Sequence, residues 1–214
     1  NSKFFLINPV KSKLHAIKLK DTDVVNTKMI NHLQWENVYN SAYNASEKLI
    51  IYLLYWGGLR LSEITNLTVN NFLTDSKMLT FARKGGYIHT LDIINPKIIF
   101  EQFHIIQSSN PELIYLFSKN NKRPISTRSM YKKIMKILSR ANCPRSITPH
   151  SFRKACATNL YLKSKDLLYV RDYLNHNDAK ITQTYIDKST LKSYQLLLKD
   201  DKYNSNKTIL EMTC

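Results

Sequence analysis

Glycine, cysteine and acidic side chains are all scarce in this sequence of 214 residues. Glycine occurs only four times, as Gly57-Gly58 and Gly85-Gly86, so no P-loop pattern is present and a collagen-like chain is excluded. Cys143, Cys156 and Cys214 form no CxxC pair and no even disulfide set, which predicts a reducing, intracellular setting. The longest apolar candidate for a membrane span, Leu49 to Leu59, falls far short of the roughly 18 residues such a span needs. The chain opens on Asn1 with no signal-peptide pattern, which predicts that residue 1 is a fragment boundary. Apolar residues at 43% and charged residues at 22% exclude a disordered acidic chain and suffice for a hydrophobic core.

What the chain has in quantity is positive charge. Thirty-two Lys and Arg stand against sixteen Asp and Glu, a formal net charge of +16. Between Glu112 and Asp166 there is no acidic residue, while thirteen Lys or Arg fall in that interval. Clustering of this kind predicts a polyanionic partner, nucleic acid above all.

The organisation is mostly α with one small antiparallel sheet. Residues 1–28, with Pro9 and a lysine-rich stretch from Val10 to Lys20, carry no helical stripe and read as a linker; 29–198 read as one domain and 199–214 as a tail. A helical pattern runs from His32 to Tyr43, and a second helix begins at Ser46-Glu47 and stops at Gly57-Gly58. That second helix is apolar nearly all round and is therefore expected to be buried. A short helix begins near Leu61 or Ser62. Met78 to Arg83 and Tyr87 to Ile93, joined at Lys84-Gly85-Gly86, alternate as a hairpin does. Helix resumes at Pro96. Ser126 to Ala141 is the clearest case, with Met130, Ile134, Ile137, Leu138 and Ala141 in one stripe and the cations mostly away from it. Further helices are expected over Ser151 to Leu162, Lys165 to Leu174, Ala179 to Asp187 and Thr190 to Leu198.

Five short motifs follow one another along the chain: Gly58-Leu59-Arg60-Leu61-Ser62-Glu63, Lys84-Gly85, His150-x-x-Arg153, Leu174-Asn175-His176, and Tyr185 nine residues beyond that histidine. Each alone is weak; a tyrosine in Thr184-Tyr185-Ile186 would ordinarily be read as core. Their order and separations together resemble the tyrosine recombinases, the family of phage integrases and Xer-type recombinases that shares its catalytic architecture with type IB topoisomerases. The set spans residues 60–185, with supporting similarity over about 28–198.

The resemblance implies the DNA breaking-rejoining catalytic fold and a site-specific DNA strand transferase of integrase, transposase or Xer type. In that reading Tyr185 attacks a DNA phosphate to leave a 3′-phosphotyrosyl bond, while Arg60, Arg153 and His176 hold the non-bridging oxygens. Lys84 protonates the departing 5′-oxygen, His150 assists proton transfer, and Glu63 supports the site. It also implies a missing N-terminal core-binding domain, a tetramer on paired sites, a tail that packs on a neighbouring protomer, and a cytoplasmic, nucleoid-associated location. Lys119, Lys122, Arg123, Arg128, Lys132, Lys133, Lys136 and Arg140 are the candidate DNA contacts, with Arg128 the one expected to reach a base. A DNA-binding relative without activity and a monomeric type IB topoisomerase are the alternative readings.

The chemistry suits those residue types. A phenol with a pKa of about 10 is a poor nucleophile at neutral pH and needs a base or nearby cations. Charge gathering on the transition-state oxygens is met by planar guanidinium forks. The covalent link conserves the phosphodiester's energy, so no cofactor or ATP is expected. Acids are sparse around the motifs and His150 and His176 lie in no HExxH pattern, so no metal is expected either. Three positions depart from the family pattern: Trp56 where a small polar residue is common, Asn175 where glycine is usual, and Phe152-Arg153-Lys154 in place of Leu-Arg-His.

Overall fold

The computed structural model describes residues 27–82, 88–92, 96–118, 121 and 123–199. Lys84, Lys119, Lys122, most of the expected linker and the tail beyond 199 lie outside the described residues. The described chain forms helices α1 (His32–Asn40), α2 (Ala45–Tyr55), α3 (Leu61–Thr65), α4 (Pro96–Ser109), α5 (Thr127–Arg140), α6 (Pro149–Ser164), α7 (Leu167–Leu174), α8 (Ala179–Tyr185) and α9 (Lys188–Lys199). Strands β1 (Phe72–Leu73), β2 (Met78–Ala82) and β3 (Ile88–Asp92) form one antiparallel sheet in that order. Among the described residues no helix is long and apolar enough to cross a membrane.

Helix α2 is the hub. Every residue from Leu49 to Tyr55 is buried, and the helix packs against α1, α4, α5 and α6. Each buried Leu or Ile side chain contributes roughly 1.5–3 kcal/mol relative to exposure, so this one helix supplies a large share of the core. Its rim is aromatic: Trp35 stacks on Tyr55 at 4.9 Å between centroids, and Trp56 meets Tyr55 edge-on at 5.1 Å. Trp56 thus closes the core where a small polar residue was the family expectation.

Several boundaries differ from the sequence pattern for local reasons. The expected helix from His32 to Tyr43 ends at Asn40, because a capping box at Asn31 and Gln34 opens it and Ser41 closes it. Helix α2 starts at Ala45 rather than Ser46, since the Asn44 side chain accepts from the Glu47 backbone N–H. The hairpin stands in the register Leu79 opposite Leu91 and Phe81 opposite His89, and it carries a third strand, β1, too short to show alternation. Helix α8 ends at Tyr185, two residues before the expected Asp187. Thr27, assigned by its sequence to the linker, already touches the domain through its carbonyl, which accepts from Lys154 Nζ at 3.1 Å.

Gly57-Gly58 sets the path from α2 to α3. A Cβ on Gly57 would stand 2.8 Å from the Leu53 carbonyl, and Gly58 has φ +59°. A Cβ on Gly58 would stand 2.5 Å from Leu174 Cδ2 and 2.9 Å from Cys156 Sγ, so α6 and α7 close directly on this turn. Gly58→Ala is expected to destabilise the domain by about 1–3 kcal/mol through strain and overpacking, read as a lowered urea midpoint at unchanged m-value.

Candidate active site

Helix α6 brings Arg153 into the interior, where it is almost completely buried. Pro149 occupies the first turn of α6, where a missing N–H costs nothing. The Arg153 guanidinium is held by the backbone of two other elements. Nη1 donates to the Gly58 carbonyl, and Nη2 donates to the Leu174 carbonyl at 2.6 Å and to His176 Nε2 at 2.8 Å. Both of the latter acceptors flank Asn175, whose left-handed conformation (φ +61°) turns the chain at the end of α7. That is why glycine is expected at this position and why asparagine, the side chain most tolerant of it, can replace glycine.

Since a guanidinium only donates, His176 Nε2 must accept, and Nδ1 then carries the proton and donates to Thr182 Oγ1 at 3.0 Å. The imidazole is thereby fixed as one neutral tautomer between α6 and α8. Tyr185, at the end of α8, lays its ring on it: centroids are 5.0 Å apart with planes at 25°. The Arg153 guanidinium lies 5.4 Å from the same tyrosine ring. Arg153, His176, Thr182 and Tyr185 are all buried and form one stack.

Arg60 approaches from α3, whose N-cap it is. Its backbone N–H and its Nη1 both donate to Glu63, at 2.7 and 2.9 Å, so Glu63 holds the residue at two points. The Arg60 side chain remains 39% exposed and available to a ligand. Burial, and next the like charge of Arg60, push the Arg153 guanidinium down to about 10, against the pull of Tyr185 and Glu63. Arg153 Nε is buried and has no hydrogen-bond partner. Two cations close enough to disfavour each other, with a buried donor unused, describe a place short of negative charge.

His150 lies one turn before Arg153 on α6 and is exposed, so the pair shares a helix but not an environment. Along α5, Arg128, Lys132 and Lys136 are exposed, as is Arg123 before it. Lys133 and Arg140 do not join them. Arg140 bonds Glu47 and the Ser41 carbonyl and lies over the Tyr43 ring at 3.8 Å, while Lys133 donates to Ser46 Oγ at 3.2 Å. These two cations fasten α5 to the start of α2, and burial lowers the Lys133 pKa. Among the described residues no group of three or more His, Cys, Asp or Glu could hold a metal ion.

Sequence reasoning missed the carbonyls of Gly58 and Leu174, which leave no mark in side-chain identity, and Thr182, three residues before Tyr185 on α8. It also missed a buried pair beside the stack. Lys154 Nζ lies 3.0 Å from Asp187 Oδ1, both largely buried. Although burial opposes it, hydrogen bonds from Ser189, Thr190 and Lys154 hold the Asp187 carboxyl well below the usual carboxylate range.

With this geometry in view, the comparisons with known proteins are specific. A family model described as the phage integrase family matches residues 26–192. The chain belongs to that family. A tyrosine recombinase of Agathobacter rectalis is 30% identical over 153 residues, covering 70% of this chain and 50% of that protein. Tyrosine recombinase XerA of Pyrococcus horikoshii is 26% identical over 181 residues, covering 82% of this chain and 62% of that protein. The chain therefore spans between half and two thirds of the length of these relatives. The fold matches the crystal structure of XerA recombinase with a TM-score of 0.70 at 16% identity, over 84% of this chain and 66% of that one. It also matches XerH site-specific recombinase bound to difH substrate with a TM-score of 0.66 at 20% identity, over 79% and 54%.

Thr182 is the test of how the imidazole is held. Thr182→Val keeps the shape but leaves a buried Nδ1–H without its acceptor, at an expected cost of about 1–3 kcal/mol in denaturant unfolding. Because Arg153 still donates to Nε2, nitrogen NMR should show the His176 ring in the same tautomer as in the parent, with its Nδ1 proton exchanging faster.

Proposed function

We propose that this chain is the catalytic part of a site-specific DNA recombinase that cuts and rejoins strands through Tyr185. The observation that carries the reading is the stack of Tyr185 on His176 and Arg153. A lone core tyrosine needs no buried guanidinium beneath it, whereas a phenol that must attack a phosphate needs cations beside it.

In this reading the scissile phosphate enters between Arg60 and Arg153, and supplies the negative charge the two cations lack. Their planar forks hold its non-bridging oxygens and meet the charge that gathers in the transition state. The Tyr185 oxygen bonds to phosphorus, its proton leaves to His150 or solvent, and the 5′-oxygen departs with a proton from Lys84. The product is a 3′-phosphotyrosyl link and a free 5′-hydroxyl; the reverse steps on a second strand complete exchange. His176 Nε2 carries no proton while it accepts from Arg153, so it becomes a donor to the phosphate only after taking up a proton there. Preorganised donors of this kind are each typically worth roughly 3–4 kcal/mol when removed.

The exposed cations of α5 are the surface proposed to follow the DNA backbone, contacting phosphates that position without specifying. Arg128 is proposed to reach a base. A tetramer on paired sites, with tails packed between protomers, completes the proposal. A cavity of about 640 Å³ between α6, α7, α8 and α9, adjoining the segment after Tyr185, supports it as a place for such contacts.

The reading is tested by relaxation of supercoiled plasmid in EDTA with denaturant quenching. The parent chain is expected to relax DNA and to leave protein on a 3′ end, and Tyr185→Phe to do neither. Binding without relaxation by the parent chain would overturn the enzymatic reading in favour of a silent DNA-binding relative.

The basic helix gives a separate expectation. Neutralising Lys132 or Lys136 should each reduce the slope of log K against log salt by about one. Arg140→Gln should leave that slope unchanged and instead lower stability, because its charge is spent on Glu47.

A further inference from the structure

Helix α6 does more than carry Arg153. The residue after Arg153, Lys154, lies about 100° round the helix and bonds the chain just beyond Tyr185. Nζ bonds Asp187 Oδ1 at 3.0 Å and the Thr27 carbonyl at 3.1 Å. One turn on, Thr158 Oγ1 donates to the Lys154 carbonyl at 2.8 Å and accepts from the Asp187 backbone N–H at 2.9 Å. The other Asp187 oxygen, Oδ2, accepts from Ser189 Oγ, Thr190 N and Thr190 Oγ1 at the start of α9. Asp187 is thus bound on its backbone and on both carboxylate oxygens, two residues after Tyr185.

We propose that Lys154 and Asp187 form a positioning clamp for Tyr185, which holds the strand leaving the nucleophile against the helix that carries Arg153. The proposal rests on the function assigned to Tyr185 above. Tyr185 closes α8 and Ile186 is extended; the Ile186 N–H still bonds the Gln183 carbonyl at 3.3 Å, but the turn ends there and the chain beyond needs another hold. The clamp supplies that hold. Arg153 stands against the ring and Lys154 holds the Asp187 carboxylate behind it, from adjacent positions on one helix, while Thr158 holds the Asp187 backbone. Thr27 anchors the ammonium from a third direction, so the pair is braced rather than hinged. An ångström of drift at a nucleophile is enough to lose a near-attack geometry.

A buried pair also stabilises, so stability and positioning must be separated. Removing one partner strands the other charge in the interior, whereas removing both relieves that cost. In the full 214-residue chain, Lys154→Met and Asp187→Asn should each lower Tm, and the double variant should recover much of that loss. Cleavage is measured as single-turnover formation of denaturant-resistant protein–DNA complex on supercoiled plasmid at saturating protein. It should fall roughly 10- to 100-fold in both single variants and stay there in the double variant, because the clamp is absent from all three. Plasmid affinity should stay within about twofold throughout, a loss in rate and not in binding. Lys154→Arg keeps the charge, and the adjoining cavity has room for its fork; its cleavage should stay near the parent level.

Cleavage that recovers in step with Tm in the double variant would overturn the clamp and leave Lys154 a stabilising residue only. Parent-like cleavage in Lys154→Met would overturn it as well. A Tyr185→Phe control separates these outcomes from a failure of the functional reading: if the parent chain forms no complex that depends on Tyr185, both proposals fall.

Discussion

The structure turns on burying the Arg153 guanidinium. A charged group taken out of water must be compensated on the spot, and here the compensation is made from backbone. The carbonyls of Gly58 and Leu174 and the Nε2 of His176 come from two separate places in the chain, and Arg153 can reach all of them only if α2, α6 and α7 meet at one point. The close approaches at Gly58 are the other half of that constraint, because Leu174 and Cys156 occupy the space a side chain would need. Stability and chemistry therefore share one knot. The donor that holds the fold together is the donor proposed to hold the phosphate.

That sharing has an electrostatic consequence. Arg153 is satisfied by dipoles rather than by a carboxylate, and so its charge is not cancelled. Glu63, the acid nearest in the motif, is engaged with Arg60 at both its oxygens. The Arg153 charge left unneutralised attracts an anion, and the Tyr185 ring lies 5.4 Å from that guanidinium. In the proposed reaction that same ring carries the oxygen that attacks.

Much of this was legible before the fold was known, and the failures have physical causes. The stripe of Met130, Ile134, Ile137 and Leu138 is buried as periodicity requires, and the all-round apolar helix from Leu49 to Tyr55 is central. The hairpin falls where alternation and the second glycine pair place it. Arg60 and Glu63 pair, and Arg153, His176 and Tyr185 meet, as their family motif implies. Lys133 and Arg140, expected on the DNA face, bend back to the start of α2, since period gives the direction of a Cβ but not the reach of a long stem. Strand β1 has two residues and no period to show. The Lys154–Asp187 pair was visible only as a departure from a familiar triplet, because a long-range ion pair has no signature along the chain.

Helix α2 joins the two ends of this machinery. Its first turn is tied to α5 through Ser46 and Glu47, and its last runs into the glycine turn that presents Gly58 and Arg60. Eleven residues of unbroken helix measure about 16 Å at 1.5 Å per residue. A hydrogen-bonded rod of that length neither stretches nor slips. If α5 rests on DNA as proposed, α2 is a ruler laid between the bases being read and the phosphate being cut. The position of the break relative to the recognised sequence is then set by the length of a helix that is packed in the core from Leu49 to Tyr55, so the spacing cannot change without unpacking the domain.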